Sequence, residues 1–387
     1  MNCKRKEWYV TTGCLLAWAC ASAPAAEIKI IHINIGQGDA TLILGPADAT
    51  GNRVSVLMDA GNIPMMGKDG GKIVGGVLEK NAVTALDFFI VSHYDADHIG
   101  GAVAGAEHEH GRSFILGPNN VPGASGDDDA DGKLDWLDDD PADMIKPDPD
   151  ELGKGDDVLV KTFIDRGDVP ANSSIATKKY RALASAMGVR KSLSTQADVN
   201  GFDISLGGGC SMLCLAANGF VRQRAARVSQ LSTENERSLC FLLRFGKFDY
   251  LIGGDTIGRT HGAENAEVEK AIGEFLVGSG INVDVLHVNH HGANNASEEE
   301  FLASTAPEIA VISVGNGNSH GHPHADSLAR LVEAGVLTVY QTEWGTTPGA
   351  IEDTIRRRQA IFQGDIVITS DGASYEVSTS RRFSTDE

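Results

Sequence analysis

From Glu27 onward, short apolar runs alternate with loops rich in glycine and acidic residues. Ile28 to Ile35 reads as a strand, the tight Gly36-Gln37-Gly38-Asp39 follows, and Ala40 to Leu44 begins a second strand, which together predict a hairpin. Val54 to Met58 is a third run, ending at Asp59-Ala60-Gly61, and Asp87 to Ser92 is a fourth. The fourth feeds His93-Tyr94-Asp95-Ala96-Asp97-His98, after which Ile99-Gly100-Gly101 opens a predicted helix. The same grammar returns later. Tyr250-Leu251-Ile252 leads into Gly253-Gly254-Asp255, Val283 to Val288 into Asn289-His290-His291-Gly292, and Ile309 to Val314 into Asn316-Gly317-Asn318-Ser319-His320-Gly321-His322. Residues able to do chemistry therefore follow strand ends, and a mixed α/β fold with its site on one rim is expected.

Two stretches break this rhythm. Residues 107–179 are rich in Pro, Gly and Asp and read as an insertion. Inside it, residues 127–138 fit the twelve-position calcium loop, with oxygen ligands from Asp127, Asp129, Asp131, Asp135 and Asp138 and Gly132 at the turn position. Position 12 is Asp rather than Glu, as in the calcium repeats of dockerin modules, which this loop resembles. A structural calcium there would cancel the repulsion among the five carboxylates. The chain's first 26 residues form the other exception: Lys4, Arg5 and Lys6 precede an apolar run from Trp8 to Ala19 and then small residues, the pattern of a secretory signal peptide. Lipidation at Cys20 ranks second, because Trp18 disturbs the small-residue approach that such processing prefers. Residues 376–387 read as a polar tail, leaving 27–375 as one domain.

Composition narrows the functional classes. With 387 residues, 42% of them hydrophobic, the chain can bury one large core or two modest ones. No later segment reaches the roughly 18 apolar residues of a membrane span, so no stable membrane insertion is expected. A net charge of -20 opposes tight, nonspecific adhesion to nucleic acid. Beyond the leader, Cys210, Cys214 and Cys240 form an odd set spaced for buried free thiols rather than a disulfide framework.

The segment from His93 to His98 packs two imidazoles and two carboxylates into six residues, a costly crowd unless divalent cations absorb the charge. Taken with GQGDA at 36–40, GGD at 253–255, NHHG at 289–292 and GHPH at 321–324, it resembles the metallo-β-lactamase fold, and more narrowly the hydrolase-like domain of the ComEC family of DNA-uptake competence proteins. That resemblance implies a four-layer αββα sandwich with two metals at the edge between two sheets, and hydrolysis with phosphodiesters as the favoured substrate class. It places His93 and Asp95 on a first metal, Asp97 and His98 on a second, and Asp255 between them. His290 completes the second site, as the first imidazole off its strand, with His291 as its alternative. Asn235 stands where the wider superfamily has a further His, and Asp95 replaces another, so the first site is rich in oxygen and suits manganese or a mixed pair as well as zinc. Two cations sharing Asp255 would lower the pKa of a water at neutral pH, with Asp97 also counted in the catalytic centre. His322 is the candidate proton donor or oxyanion partner, His320 and His324 are weaker ones, and Asp39 is expected to orient a ligand imidazole. His32, His108, His110, His261 and His287 are expected to pack or to be solvated. The substrate expected is a small phosphodiester, such as a phosphocholine ester, or nucleic acid. Hydrolysis of a lactam, lactone or thioester, and a non-catalytic, metal-stabilised binding module at the cell surface, are the rival readings, and a periplasmic or secreted location follows from the leader.

Overall fold

A computed structural model describes residues 26–62, 68–103, 158–167, 173–186, 189–228, 231–258, 268–347 and 351–380. The expected leader up to residue 25, the calcium-type loop with Asp127, Asp129, Asp131, Asp135 and Asp138, and His108, His110 and His261 lie outside the described residues. The first half supplies strands β1 (Ile28–His32), β2 (Thr41–Leu44), β3 (Ser55–Met58), β4 (Ala85–Leu86), β5 (Phe88–Ile90), β6 (Leu159–Val160), β7 (Phe163–Asp165) and β8 (Arg190–Ser192). The second supplies β9 (Asp203–Gly207), β10 (Cys210–Ala217), β11 (Phe220–Val221), β12 (Cys240–Phe245), β13 (Phe248–Ile252), β14 (Val285–His287), β15 (Ile309–Ile312), β16 (Thr338–Gln341) and β17 (Gln359–Ile361). The chain then returns to the first half through β18 (Asp365–Ser370) and β19 (Tyr375–Ser380). The helices are α1 (Gly70–Lys80), α2 (Ala96–Ile99), α3 (Ile175–Ala186), α4 (Gln196–Gly201), α5 (Val268–Gly278), α6 (Glu299–Thr305), α7 (Ala325–Glu333) and α8 (Asp353–Arg356).

Two large sheets result, one in the order β19-β18-β1-β2-β3-β5-β7-β8, the other β11-β10-β12-β13-β14-β15-β16-β17 with β9 beside β10, while β4 and β6 pair as a small third sheet. Their strands are apolar on both faces because both faces are covered. In β1, Ile30 points into the core between the sheets, with Ile43, Met58, Phe241 and Tyr250, whereas its neighbour Ile31 faces the helix side with Leu42, Leu57, Phe89 and Val74 of α1. On the other flank Leu242, Leu251, Leu286 and Ala310 pack against Ile272 and Leu276 of α5, Phe301 of α6 and Leu328 of α7. Helix, sheet, sheet, helix is the four-layer αββα sandwich. Cys210, Cys214 and Cys240 are buried free thiols, and no described helix is long and apolar enough to cross a membrane.

Three sequence expectations need correction. The insertion does not run to residue 179: β7 lies between β5 and β8 in the first sheet, with Phe163 and Ile164 fully buried on opposite faces, and Tyr180 and Leu183 of α3 belong to the helix-side core. A three-residue strand carries too little pattern to stand out beside an acidic, Pro-rich stretch. The polar tail likewise starts late, because β19 pairs antiparallel with β18 from Tyr375 to Ser380. Its alternation leaves one face to water, as an edge strand permits. Finally, the helix after the ligand loop starts at Ala96 rather than at Ile99, and Gly100–Ala102 continues it as a tighter turn.

The strands that run parallel, β3-β5-β7-β8 and β13-β14-β15-β16-β17, matter most for the site. Their carboxyl ends deliver the loops at Asp59, His93, Asp255, His290 and Gly315 to one rim. The loop after β14 is pinned by Glu269 of α5, whose Oε1 accepts from Asn289 Nδ2 and the Ser297 amide, both at 2.7 Å, and whose Oε2 accepts from the Glu298 amide at 3.1 Å. Burial pushes the Glu269 carboxyl up to about 7 despite those donors. The folded state therefore keeps a proton that the unfolded chain loses above about pH 4.5, and stability falls as pH rises from there to about 7. Urea midpoints for the wild type and Glu269→Gln should diverge across that window, with the wild type losing roughly 3 kcal/mol relative to the variant. Parallel curves would show that Glu269 does not titrate there.

Candidate metal centre

The short helix α2 explains why the ligand segment is so dense. Asp95 occupies its N-cap position without using its carboxylate as a cap, so the carboxylate stays available and Oδ2 lies 3.5 Å from His93 Nε2. One turn of helix then sets Asp97 and His98 beside it. Asp255 arrives from β13 through Gly254, which has φ +53 and where a Cβ would stand 2.6 Å from Ser92 Cβ; only glycine fits that close turn. Gly38 does the same for the GQGD loop, where a Cβ would fall 2.1 Å from the Asp97 carbonyl oxygen. The loop docks there by the Asp39 amide donating to that carbonyl at 3.1 Å and Gln37 Nε2 donating to Asp97 Oδ2 at 3.2 Å.

The Asp255 carboxylate divides its two oxygens between two groups. Oδ2 faces His93 Nε2 at 3.8 Å and His290 Nε2 at 3.7 Å. Oδ1 faces His98 Nε2 at 3.3 Å and His291 Nε2 at 3.6 Å, and Asp97 Oδ2 lies 3.5 Å from the same His291 nitrogen. His93, His98 and Asp255, and also Asp97, His98 and His291, are spaced to hold a metal ion. The nitrogens His93 Nε2, His98 Nε2 and His291 Nε2 and the oxygen Asp255 Oδ1 are all buried, and none makes a hydrogen bond. Four such orphans converging from three chain segments would be costly if they served nothing. A divalent cation takes lone pairs of this kind, so the donor set fits the metals that the sequence implies.

The electrostatics carry the same signature. Burial opposes a charge on His98, but Asp255 and Asp59 outweigh it and hold the pKa well above the imidazole range. Burial likewise opposes a charge on His291, which Asp255 and Asp97 nevertheless raise to about 9. Asp255 and Asp97, though buried, stay well below the ordinary carboxylate value because imidazoles surround them. Protons thus balance the carboxylates, and cation uptake would displace them.

The site also sorts the candidates. Of the two histidines it is His291 that lies beside Asp97 and Asp255 Oδ1, where the sequence suggested His290. Both residues sit in a tight turn at positive φ, 50° and 53°, so the alternation of a strand, which favoured His290, has already ended. His291 Nδ1 donates to the Ser313 carbonyl at 2.9 Å, which aims Nε2 at Asp97 and Asp255 and would leave its lone pair free once a cation displaces the proton. His290 stands on the side of His93, with Nδ1 3.1 Å from Asn295 Oδ1 and Nε2 3.1 Å from Asn235 Nδ2. Asp39 is also reassigned. Its Oδ2 meets His287 Nε2 at 3.0 Å rather than a metal-facing imidazole, and against the cost of burial that partner brings it to about 2. His287, in turn, stacks on His32 with ring centroids 5.0 Å apart. The carboxylate that orients one of the clustered imidazoles is Asp59, whose Oδ2 accepts from His98 Nδ1 at 2.8 Å and from Ser92 Oγ at 2.6 Å. Ser92 Oγ then meets His93 Nδ1 at 3.0 Å. Sequence reasoning marked Asp59 only as a strand end, although a lone acid closing an apolar run and followed by Ala-Gly was its available signal.

Above the centre lies a cleft of about 390 Å³ lined by Gln37, Asp95, Asp97, Asn235, Asp255 and His322 among others. His322 is buried, its ring 5.3 Å from that of His290 and 6.0 Å from that of His291. Burial first, then those two neighbours, push it down to about 3, so it is a neutral imidazole at physiological pH. His320 is exposed on the same loop, and His324 takes the N-cap position of α7.

An αββα sandwich whose parallel strands bring His93, Asp95, Asp97, His98, Asp255 and paired histidines to one rim is the metallo-β-lactamase fold, with groups that could hold divalent metal. Within it the chain resembles ComEC-type proteins. It is 28% identical over 131 residues to ComE operon protein 3 of Bacillus subtilis, covering 34% of this chain and 15% of that protein. It is 30% identical over 99 residues to Recombination protein 2 of Haemophilus influenzae, covering 25% of this chain and 11% of that protein. The match therefore spans a small part of both relatives. No family model matches the chain. Among solved structures it is similar to a metal-dependent hydrolase of the beta-lactamase superfamily (11% identity, TM-score 0.36, 87% of this chain and 96% of that one) and to a diphosphatase from the PhnP family (10% identity, TM-score 0.36, 89% and 97%). Likenesses that distant bear on neither substrate nor chemistry.

Removing the outer carboxylate should loosen the centre without emptying it. Asp59→Asn is expected to weaken manganese or zinc binding by roughly 10- to 100-fold, as read by competition with a chromophoric chelator. In the same assay His291→Ala should weaken binding at the site that Asp97 and His98 share; unchanged affinity in that variant would contradict the placement of His291.

Proposed function

We propose that the protein is an exported, metal-dependent hydrolase of phosphodiester bonds that works with two divalent cations. The observation that carries this reading is the convergence of four buried, unbonded ligand atoms around Asp255 beneath an open cleft. His93, Asp95, Asp255 Oδ2 and His290 would hold one cation, and Asp97, His98, Asp255 Oδ1 and His291 the other. When bound, such cations act as Lewis acids that make water acidic at neutral pH and neutralise charge on an attacked phosphoryl group.

The chain's own residues supply the rest. Asp59 and Ser92 fix the rings of His98 and His93, and Ser313 fixes that of His291. Gln37 and the Asp39 amide hold Asp97 from the opposite loop. Because His322 is neutral, a hydrogen bond from its ring to a developing oxyanion suits it better than donation of a proton. The oxygen-rich donors around His93 favour manganese or a mixed pair as well as zinc. Phosphodiesters are supported by this hard donor set and by the resemblance to ComEC-type proteins, one of which is named for recombination. The net charge of -20 argues for a small diester or a short single strand over a long duplex. The leader-like start supports export, and the acidic loop at 127–138 supports a structural calcium.

Purified protein loaded with manganese or zinc should turn over bis-p-nitrophenyl phosphate, or one of single-stranded DNA and a phosphocholine ester, and leave nitrocefin intact. Asp255→Ala should remain folded by circular dichroism and lose at least about a thousandfold in kcat/KM, since both cations lose a shared ligand. Turnover of nitrocefin alone, or an Asp255→Ala variant as active as the wild type, would overturn the reading.

A further inference from the structure

His287, for which the sequence suggests packing, is tied to the metal centre by its polar atoms. It closes β14 and is buried. Its Nε2 donates to Asp39 Oδ2 at 3.0 Å and lies 3.3 Å from Ser313 Oγ. Each of those partners holds a different member of one candidate cation group. The Asp39 amide donates to the Asp97 carbonyl at 3.1 Å, and the Ser313 carbonyl accepts from His291 Nδ1 at 2.9 Å. One buried ring thus links the GQGD loop of the first sheet to the end of β15 in the second, and Asp97 and His291 face each other at 3.5 Å. Packing alone does not explain the pair. Asp39 Oδ1 and His287 Nδ1 are both buried without a hydrogen-bond partner, a polar cost that two apolar side chains of the same volume would not carry. The stack with His32, at 5.0 Å between centroids, fixes the plane of the His287 ring.

We propose that His287, with Asp39, is a positioning pair for the cation that Asp97, His98 and His291 would share, and that it makes this the tighter of the two sites. The inference rests on the two-cation reading and deepens it. A site gains affinity when its ligands are already held at the spacing the ion requires, because binding then has little left to order. On this side of Asp255 they are held: Asp59 takes His98, Ser313 takes His291, and Gln37 Nε2 and the Asp39 amide take Asp97. His287 joins Asp39 to Ser313 through a single nitrogen, so Asp97 and His291 cannot drift apart without straining its contacts. The opposite side is looser. Asp95 keeps 47% of its side-chain surface exposed, and the His290 ring meets the neutral side chains of Asn235 and Asn295, each at 3.1 Å. The contacts of His287 with Asp39 and Ser313 both bear on the Asp97 side, so its loss should be felt at one site and not at the other.

Metal affinity tests this without turnover. Manganese titrated against a chromophoric chelator should give the wild type two unequal dissociation constants, with Asp95→Asn marking the weaker site and His291→Ala the tighter one. His287→Leu, which stays close in volume and removes the donor, should raise the tighter site's constant roughly 10- to 100-fold and leave the weaker one unchanged. His287→Gln, whose amide nitrogen can still donate to Asp39, should restore most of that loss, which a merely space-filling role would not allow. Asp39→Asn keeps the side chain's size and weakens the hydrogen bond by removing its charge. It should shift the same constant in the same direction, and it carries the test should His287→Leu fail to fold. An unchanged tighter constant in either folded variant, equal weakening at both sites, or no rescue by glutamine overturns the positioning role while the two-cation reading stands. A wild type that takes up a single equivalent, weakened in His287→Leu, overturns the two-cation reading and leaves the positioning role; no uptake at all overturns both.

Discussion

A single buried carboxylate, Asp255, faces four imidazoles, with one oxygen toward His93 and His290 and the other toward His98 and His291. In a dry pocket that arrangement is not stable on neutral terms. Either protons sit on His98 and His291, whose pKa values Asp255 and its neighbouring carboxylates raise, or cations replace those protons. The fold is organised around delivering these groups. Parallel strands from both sheets end at the same rim, glycines at 38 and 254 allow backbones to approach where no Cβ would fit, and Glu269 holds the strained turn that carries the histidine pair.

Joining the two sheets at this rim also makes the centre a connection between halves. The GQGD loop belongs to the first sheet, yet Asp39 pairs with His287 of the second. Tyr94 donates its hydroxyl to the Gly167 carbonyl, and its amide donates to Glu234, which Arg166 also grips and which precedes Asn235. The GQGD loop and the loop from His93 to His98 are therefore held from across the sandwich as well as by their own strands. Such cross-bracing fixes ligand positions more firmly than a loop could alone.

Much of this was legible in the sequence because both signals are local. Apolar runs closed by Gly and Asp marked the strands and their ends, and the crowding from His93 to His98 has few explanations other than cations. What escaped has a common physical cause. The β7 strand is three residues long, and α3 and β19 have weak patterns, so tertiary cover rather than local preference makes them part of the fold. His291 could not be told from His290, since the choice depends on two left-handed residues and on a carbonyl 22 positions away. The partners of Asp39 and Asp59 follow from which loops meet across the sheets, and nothing in their spacing states that.

The central claim is that Asp255 is shared by two cations. Anomalous X-ray scattering from crystals soaked in manganese tests it most directly. Two peaks should appear, one against each Asp255 oxygen, with His93 beside one and both Asp97 and His291 beside the other. A single peak away from Asp255, or none at saturating manganese, would contradict the account.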